Sequence, residues 1–441
     1  MAQAHTRHYP RKRLLALAGV PLLLALLAMF SDGLLWLWQA GMGFALVLSI
    51  ADLWLVRGMP SPKVQRLVHA NLAQGSRQQV TLRVHNPGRS SLAIGLHDHH
   101  PQDFHVEGLP AQLLLQERER ASVSYTVVPH VRGDHEFGQT DISLRSPLGF
   151  WSRVQRIDNP LPVRVFPNFG ELSHFALLAQ RNRLSDAGVR RRQRRGAGSD
   201  FHQLREYQEG DDLRQIDWKA TGRYRRLISR EYQDEQNQQL FFLLDCGQRM
   251  RHSDGQQQHL DAALNGMLLA AHVAAKQGDA VGFMTFAGDS RYVPPRKGGG
   301  TVPALLRAAY DVQSTPRAAD YLRLADEFIA KHLRRALVVL ITNTRDGDHE
   351  DLLMAVRLLQ KKHLVIVADL RESALENALE ERIQTQADAL RFHTASALRE
   401  SREATHTAMR HKGVVVLDLM PEQLPLALIN EYFEVKRAGS L

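Results

Sequence analysis

Asp245 closes the apolar run "QLFFLLD" (239–245), and a carboxylate at the end of a buried strand is a common place for a metal ligand or a catalytic acid. The residues that follow are Cys246, Gly247, Gln248 and Arg249, and a guanidinium is a poor neighbour for a cation. Cys246 is the sole cysteine. With no recognisably placed histidine base it reads as packing rather than as a nucleophile. A second candidate is Asp217-Trp218-Lys219, an acid-x-lysine triplet of the kind by which some metal-dependent nucleases hold magnesium and steady a leaving phosphate. Such a site also needs an upstream acid on a neighbouring strand, and none is recognisable. A third is His97, His99 and His100 around Asp98, read as a polar loop before a metal site. The glycines of "RKGGGT" (296–301) lack the following Lys-Ser/Thr of a phosphate loop and read as a turn.

These residues need elements to position them. The 441 residues suffice for two or three domains, and 44% hydrophobic with 23% charged residues describes a folded chain. One cysteine rules out an internal disulfide, and no zinc-finger spacing occurs. The net charge of +9 is local. Arg7, Arg11, Lys12 and Arg13 stand in a basic tail over 1–13, and seven arginines against Asp186 occupy 181–195. The remainder is close to neutral, which argues against a nucleic-acid binder.

The uncharged run Leu14–Phe30 and the apolar run Leu34–Val56, polar only at Gln39 and Asp52, predict a transmembrane helical hairpin over 14–56, with Trp36, Trp38 and Trp54 at its edges. Basic flanks on both outer ends keep both in the cytoplasm. A cleaved secretory signal fits less well, because a second apolar run follows at once. Asp52 is expected to reach the headgroup region. Over 60–170, stretches such as "QQVTLRVHN" and "ASVSYTVVP" alternate with period two between turns, predicting a β-sandwich. Residues 171–237 read as an arginine-rich linker, open to anionic lipid or an acidic partner at 181–195, and a charge-dense stretch. Over 238–437, five apolar strands alternate with helical patterns, predicting a parallel sheet with helices on both faces. Asp245, Asn343 and Asp369 fall at strand ends.

The stretch "GSDFHQLREYQEGDDLRQIDWKATGRYRRLISREYQDE" (198–235) resembles the signature of the bacterial "domain of unknown function 58" family, and "RGDHEFGQTDISLRSPLGFW" (132–151) resembles the segment before it. The signature residues here are Arg205, Tyr207, Gly210, Asp211, Arg214, Asp217, Trp218, Lys219 and Arg223. Their charges are expected to pair internally while Trp218 anchors the stretch against a core. The resemblance implies a von Willebrand A-like domain, whose sheet edge carries a magnesium adhesion site of type Asp-x-Ser-x-Ser with a later threonine and aspartate. On this chain Asp245 matches, Gly247 and Arg249 stand where hydroxyls are required, Thr301 is a possible match for the threonine, and Asn343 replaces the acid. One carboxylate beside a guanidinium gives little to offset dehydration of Mg²⁺, so the expectation is a degenerate site with Arg249 paired to Asp245, no metal and no cofactor. The resemblance further implies partnership with a MoxR-type AAA+ ATPase in assembling or maturing other proteins. The resulting expectation is a non-enzymatic adaptor on the bacterial inner membrane with its soluble domains in the cytoplasm. The alternative is a metal-dependent nuclease or other hydrolase using Asp217 and Lys219.

Overall fold

The computed structural model describes all residues except 1–4, 29–34, 169–199, 209–212, 214–215, 234–237, 255–256 and 439–441. The chain divides into two compact units, Met1–Phe166 and Pro167–Leu441.

In the first unit, the tail expected to be a free basic segment instead supplies a strand. β1 (His5–Pro10) pairs antiparallel with β11 (Trp151–Ile157), at the edge of a sheet ordered β1-β11-β10-β5-β7 with β10 (Thr140–Arg145), β5 (Leu92–Asp98) and β7 (Ala111–Leu115). A second sheet is ordered β2-β4-β8-β6, from Lys63–Leu67, Gln78–His85, Arg120–Pro129 and Phe104–Glu107. A third is ordered β3-β12-β9, from Asn71–Ala73, Leu161–Phe166 and Gly133–Phe137. Period-two alternation sends Val80, Leu82 and Val84 inward with Ile94, Leu96, Ile142 and Leu144 into one shared core. His97 and Asp98 lie in β5 rather than in a loop, and Asp98 is buried against Arg66 at 2.9 Å.

Helices α1 (Lys12–Ala28) and α2 (Leu35–Gly58) lie between β1 and β2 in the chain. Among the described residues only α2 is long and apolar enough to cross a membrane, by length and composition. α1 has 17 residues, about 25 Å at 1.5 Å each, starts on Lys12 and Arg13, and contains Pro21. The pair of spanning helices is therefore corrected to one candidate. Asp52 does not reach toward headgroups. It is fully buried and accepts hydrogen bonds from Ser146 Oγ (2.6 Å), Leu148 N (3.0 Å) and Phe150 N (3.0 Å). Trp151 Nε1 donates to Ser49 O at 3.0 Å. Arg153 closes the helix end by donating to the carbonyls of Val56, Arg57 and Met59, which have no partner within the helix.

The second unit carries a six-stranded sheet ordered β19-β18-β15-β20-β21-β22. β15 (Gln239–Asp245), β18 (Ala280–Phe286), β20 (Leu337–Thr342), β21 (Leu364–Leu370) and β22 (Val415–Leu419) run parallel. β19 (Tyr292–Arg296) runs antiparallel to β18 and makes the sheet mixed. Pro294 and Pro295 cannot donate to a ladder, so β19 is confined to an edge, and the same prolines hid it as a strand in the sequence. Gly282 admits it: a Cβ there would lie 2.7 Å from Val293 O. Alternate residues of β15 feed two apolar clusters. Leu240, Phe242 and Leu244 join α4 (His259–Lys276), while Phe241 and Leu243 join Tyr321 and Phe328. The remaining helices are α5 (Thr301–Ala309), α6 (Tyr321–Lys331), α7 (His349–Gln360), α8 (Ser373–Glu380), α9 (Gln386–Arg410) and α10 (Leu424–Arg437).

The fold class drawn from the sequence is corrected accordingly. Most strand pairings among the described residues are antiparallel, the one large sheet with parallel strands is mixed, and the von Willebrand A-like parallel sheet paired with a membrane hairpin is not what the chain forms. Continuous apolar runs announce burial, but they do not report the direction of a neighbouring edge strand.

Candidate functional site

Parallel register assembles the rim of the six-stranded sheet. Leu244 pairs with Ile341, Thr342 with Asp369, and Asp369 with Asp418, so Asp245, Thr342, Asp369 and Asp418 form one polar row at the carboxyl ends of four strands. This is where open sheets with parallel strands place their binding groups.

Both oxygens of Asp245 are taken. Oδ1 accepts from Gly247 N at 2.7 Å and Oδ2 from Thr342 Oγ1 at 2.7 Å, and the side chain is buried. Burial pushes its pKa up to about 6, against the opposing pull of these two donors and Arg249. The expected Arg249–Asp245 pair is not formed, because the Arg249 guanidinium pairs with Asp348, in the turn before α7. Gly247 is dictated by crowding, since a Cβ would sit 2.8 Å from Arg317 O. Thr301 is buried at the start of α5 and donates to Arg296 O at 3.1 Å. Asn343 Nδ2 donates to Glu372 Oε1 at 3.1 Å.

The sequence places Asp369 at a strand end without giving it a role. Asp369 accepts from Thr344 N (2.8 Å), Thr344 Oγ1 (2.5 Å) and His406 Nε2 (2.8 Å), and ion-pairs with Arg402 at 3.0 Å. Arg402 also bonds Asp418 Oδ1, Thr344 O and Leu370 O, each at 3.0 Å. The charges of this rim are buried and compensated from within. Among the described residues, two groups have the donor set for a metal: His252, Asp254 and His259, and Glu403, His406 and Asp418.

The family-motif residues form a separate small structure. β13 (Asp200–Glu206) pairs antiparallel with β14 (Ile228–Gln233), and α3 (Trp218–Tyr224) lies between them in sequence. Asp217 is the N-cap of α3, accepting from Ala220 N at 2.9 Å, and its other oxygen meets Arg230 Nε at 2.9 Å. Those contacts, the amide first, hold its pKa below the usual carboxylate range. Magnesium chemistry at Asp217 would have to displace both. Ile216, Ala220 and Ile228 face inward, whereas Trp218 is 69% and Leu213 68% exposed, with Tyr224 and Leu227 also exposed. The expected anchoring of Trp218 against a core is thereby corrected. Asp217 fixes α3 by its cap, and that leaves Trp218 on the outer turn. Lys219 and Arg223 are exposed, Arg205 Nη1 donates to Glu206 O at 3.0 Å, and Tyr207 N donates to Leu227 O at 2.9 Å. Gly210, Asp211, Arg214 and the run 181–195 lie outside the described residues.

Residues 203–413 match the family model "Protein of unknown function DUF58". The span covers the motif hairpin and most of the six-stranded sheet. A curated relative, "Uncharacterized protein YeaD" of Bacillus subtilis (strain 168), is 23% identical over 266 residues, covering 58% of this chain and 61% of that protein. The aligned stretch thus falls short of two thirds of that relative's length. Together the two matches support the DUF58 resemblance carried by the motif. Among solved structures, native Escherichia coli alpha-2-macroglobulin is 18% identical over 24% of this chain and 6% of its own, at a TM-score of 0.20. The CARDB domain of PF1109 from Pyrococcus furiosus is 10% identical over 24% of this chain and 90% of its own, at 0.17. Similarities this low carry no argument about fold or function.

Proposed function

We propose that this protein is a non-enzymatic, membrane-anchored interaction protein that docks a protein partner through its DUF58 motif hairpin. The observation that carries the reading is the exposure of Trp218, on a helix fixed by its own cap and salt bridge. Exposed tryptophan beside arginines is the composition of interface anchors. The rim of the sheet offers less, because its carboxylates already hold protein donors. α2, clasped to the first unit through Asp52, serves as the anchor, with the soluble parts on the cytoplasmic side of a bacterial inner membrane. The partner class is a MoxR-type AAA+ ATPase, as the family resemblance implies.

The test is binding of full-length protein, in detergent or nanodiscs, to the purified MoxR-type ATPase of the same organism. Trp218→Ala is expected to weaken binding roughly 30-fold, the equivalent of about 2 kcal/mol for a hot-spot aromatic. Unchanged affinity in a folded Trp218→Ala variant would reject this docking surface.

A further inference from the structure

We propose that His252, Asp254 and His259 form a site for a divalent first-row transition-metal ion. The site is independent of the docking reading above. It is built where Ser253–Asp254 pairs antiparallel with Gln257–Gln258 and His259 N donates to His252 O at 2.9 Å. One ligand atom from each of the three residues lies within 4.8 Å of the other two.

The detailed geometry favours an ion over a simple clasp. Nε2 of His252 and Nε2 of His259 converge on the same carboxylate, at 3.2 Å from Asp254 Oδ1 and 2.9 Å from Oδ2. The rings stand edge to face with centroids 5.0 Å apart. In a tetrahedral site with ligands about 2.0–2.1 Å from the metal, neighbouring ligand atoms are about 3.3 Å apart. The two nitrogen–oxygen separations, 3.2 and 2.9 Å, lie close to that spacing. The Nδ1 atoms point at polar groups, His252 toward Glu372 Oε2 at 3.9 Å and His259 toward Asn343 Nδ2 at 3.5 Å.

The remaining contacts hold the ligand in place. Ser373 N lies 3.2 Å from Asp254 Oδ1, and Ser373 Oγ donates to the same oxygen. His259 is fully buried while the side chains of His252 and Asp254 are part exposed, so an ion can enter from their side. Two imidazoles and one carboxylate suit zinc, iron, cobalt or nickel rather than magnesium or calcium, and three protein ligands leave a position open. The other candidate group does not compete: His406 Nε2 is bonded to Asp369, and Arg402 already supplies the cation at Asp418.

The experiment uses full-length protein in detergent, stripped with chelator and titrated with Zn²⁺ by calorimetry and with Co²⁺ by visible absorption. One ion per chain is expected, with the bands of low-coordinate Co²⁺. Affinity should fall at least tenfold in both His252→Ala and Asp254→Asn, with folding checked by circular dichroism. His252 is the safer variant because its side chain is part exposed. Absence of a stoichiometric Zn²⁺ isotherm, or folded variants that bind like the parent, would overturn the site and leave the three residues as a hydrogen-bonded clasp.

Discussion

The sheet rim and the motif hairpin have similar compositions and opposite arrangements. At the rim, parallel register aligns Asp245, Thr342, Asp369 and Asp418, and α9 brings Arg402 and His406 onto Asp369, so the charges are answered within the fold. In the hairpin, charges sit on a short capped helix whose largest side chain, Trp218, faces solvent. A buried charge must be compensated on the spot or the fold loses several kcal/mol, whereas an exposed one is screened and costs little to leave for a partner. The contrast teaches that charges at these strand ends are compensated within the fold. The displayed surface is the short motif.

Three variants measure how deep that contrast runs. The largest effect is expected for Arg402→Ala, which leaves Asp369 and Asp418 without their shared guanidinium and three carboxylate and carbonyl groups without a donor. Chemical denaturation should show a loss of about 3–5 kcal/mol. A loss under about 1 kcal/mol, the range of an exposed pair, would mean that the rim is no more buried electrostatically than the hairpin.

Next is Asp245→Asn. The folded pKa of Asp245 is raised from 3.8 to about 6, so between these values the folded state binds more protons than the unfolded one, and stability falls as pH rises through that window. The shift of about two units corresponds to about 3 kcal/mol as an upper figure. His363, pushed by burial from 6.5 to about 4, acts in the opposite sense, its stabilisation being lost as pH falls from about 6.5 to 4. The informative quantity is therefore the difference between variant and parent. Asp245→Asn should gain on the parent from pH 4 to 6, with the two curves parallel above. Curves parallel throughout would show that Asp245 is not desolvated.

The smallest effect is expected at Trp218→Ala, within about 0.5 kcal/mol of the parent in thermal or urea unfolding, because an exposed side chain leaves no cavity behind. A loss of 2 kcal/mol or more would place Trp218 in a core and erase the difference between the two regions.

Much of this organisation is legible in the chain. Runs such as "QLFFLLD" and "RALVVLITN" have no polar face, so they had to become buried strands, and their last polar residues had to lie near a rim. Asp245 and Asn343 were found that way. The metal-site candidates considered from sequence, at Asp245 and at His97–His100, were those with a familiar pattern. His252, Asp254 and His259 show no such pattern, and only the pairing of Ser253–Asp254 with Gln257–Gln258 brings them onto one carboxylate. Arg249 illustrates the same limit. Proximity in sequence suggested Asp245 as its partner, whereas the fold brings it Asp348.

By itself, then, the sequence determined which segments must leave water, where the charged motif lies, and that α2 is apolar enough for a membrane, because these follow from local composition and period. Tertiary structure alone decided which charges meet, that β19 runs antiparallel, that Asp52 clasps the helix to the first unit, and that Trp218 faces out. Those outcomes depend on register and on contacts between residues remote in sequence. Composition carries no record of them.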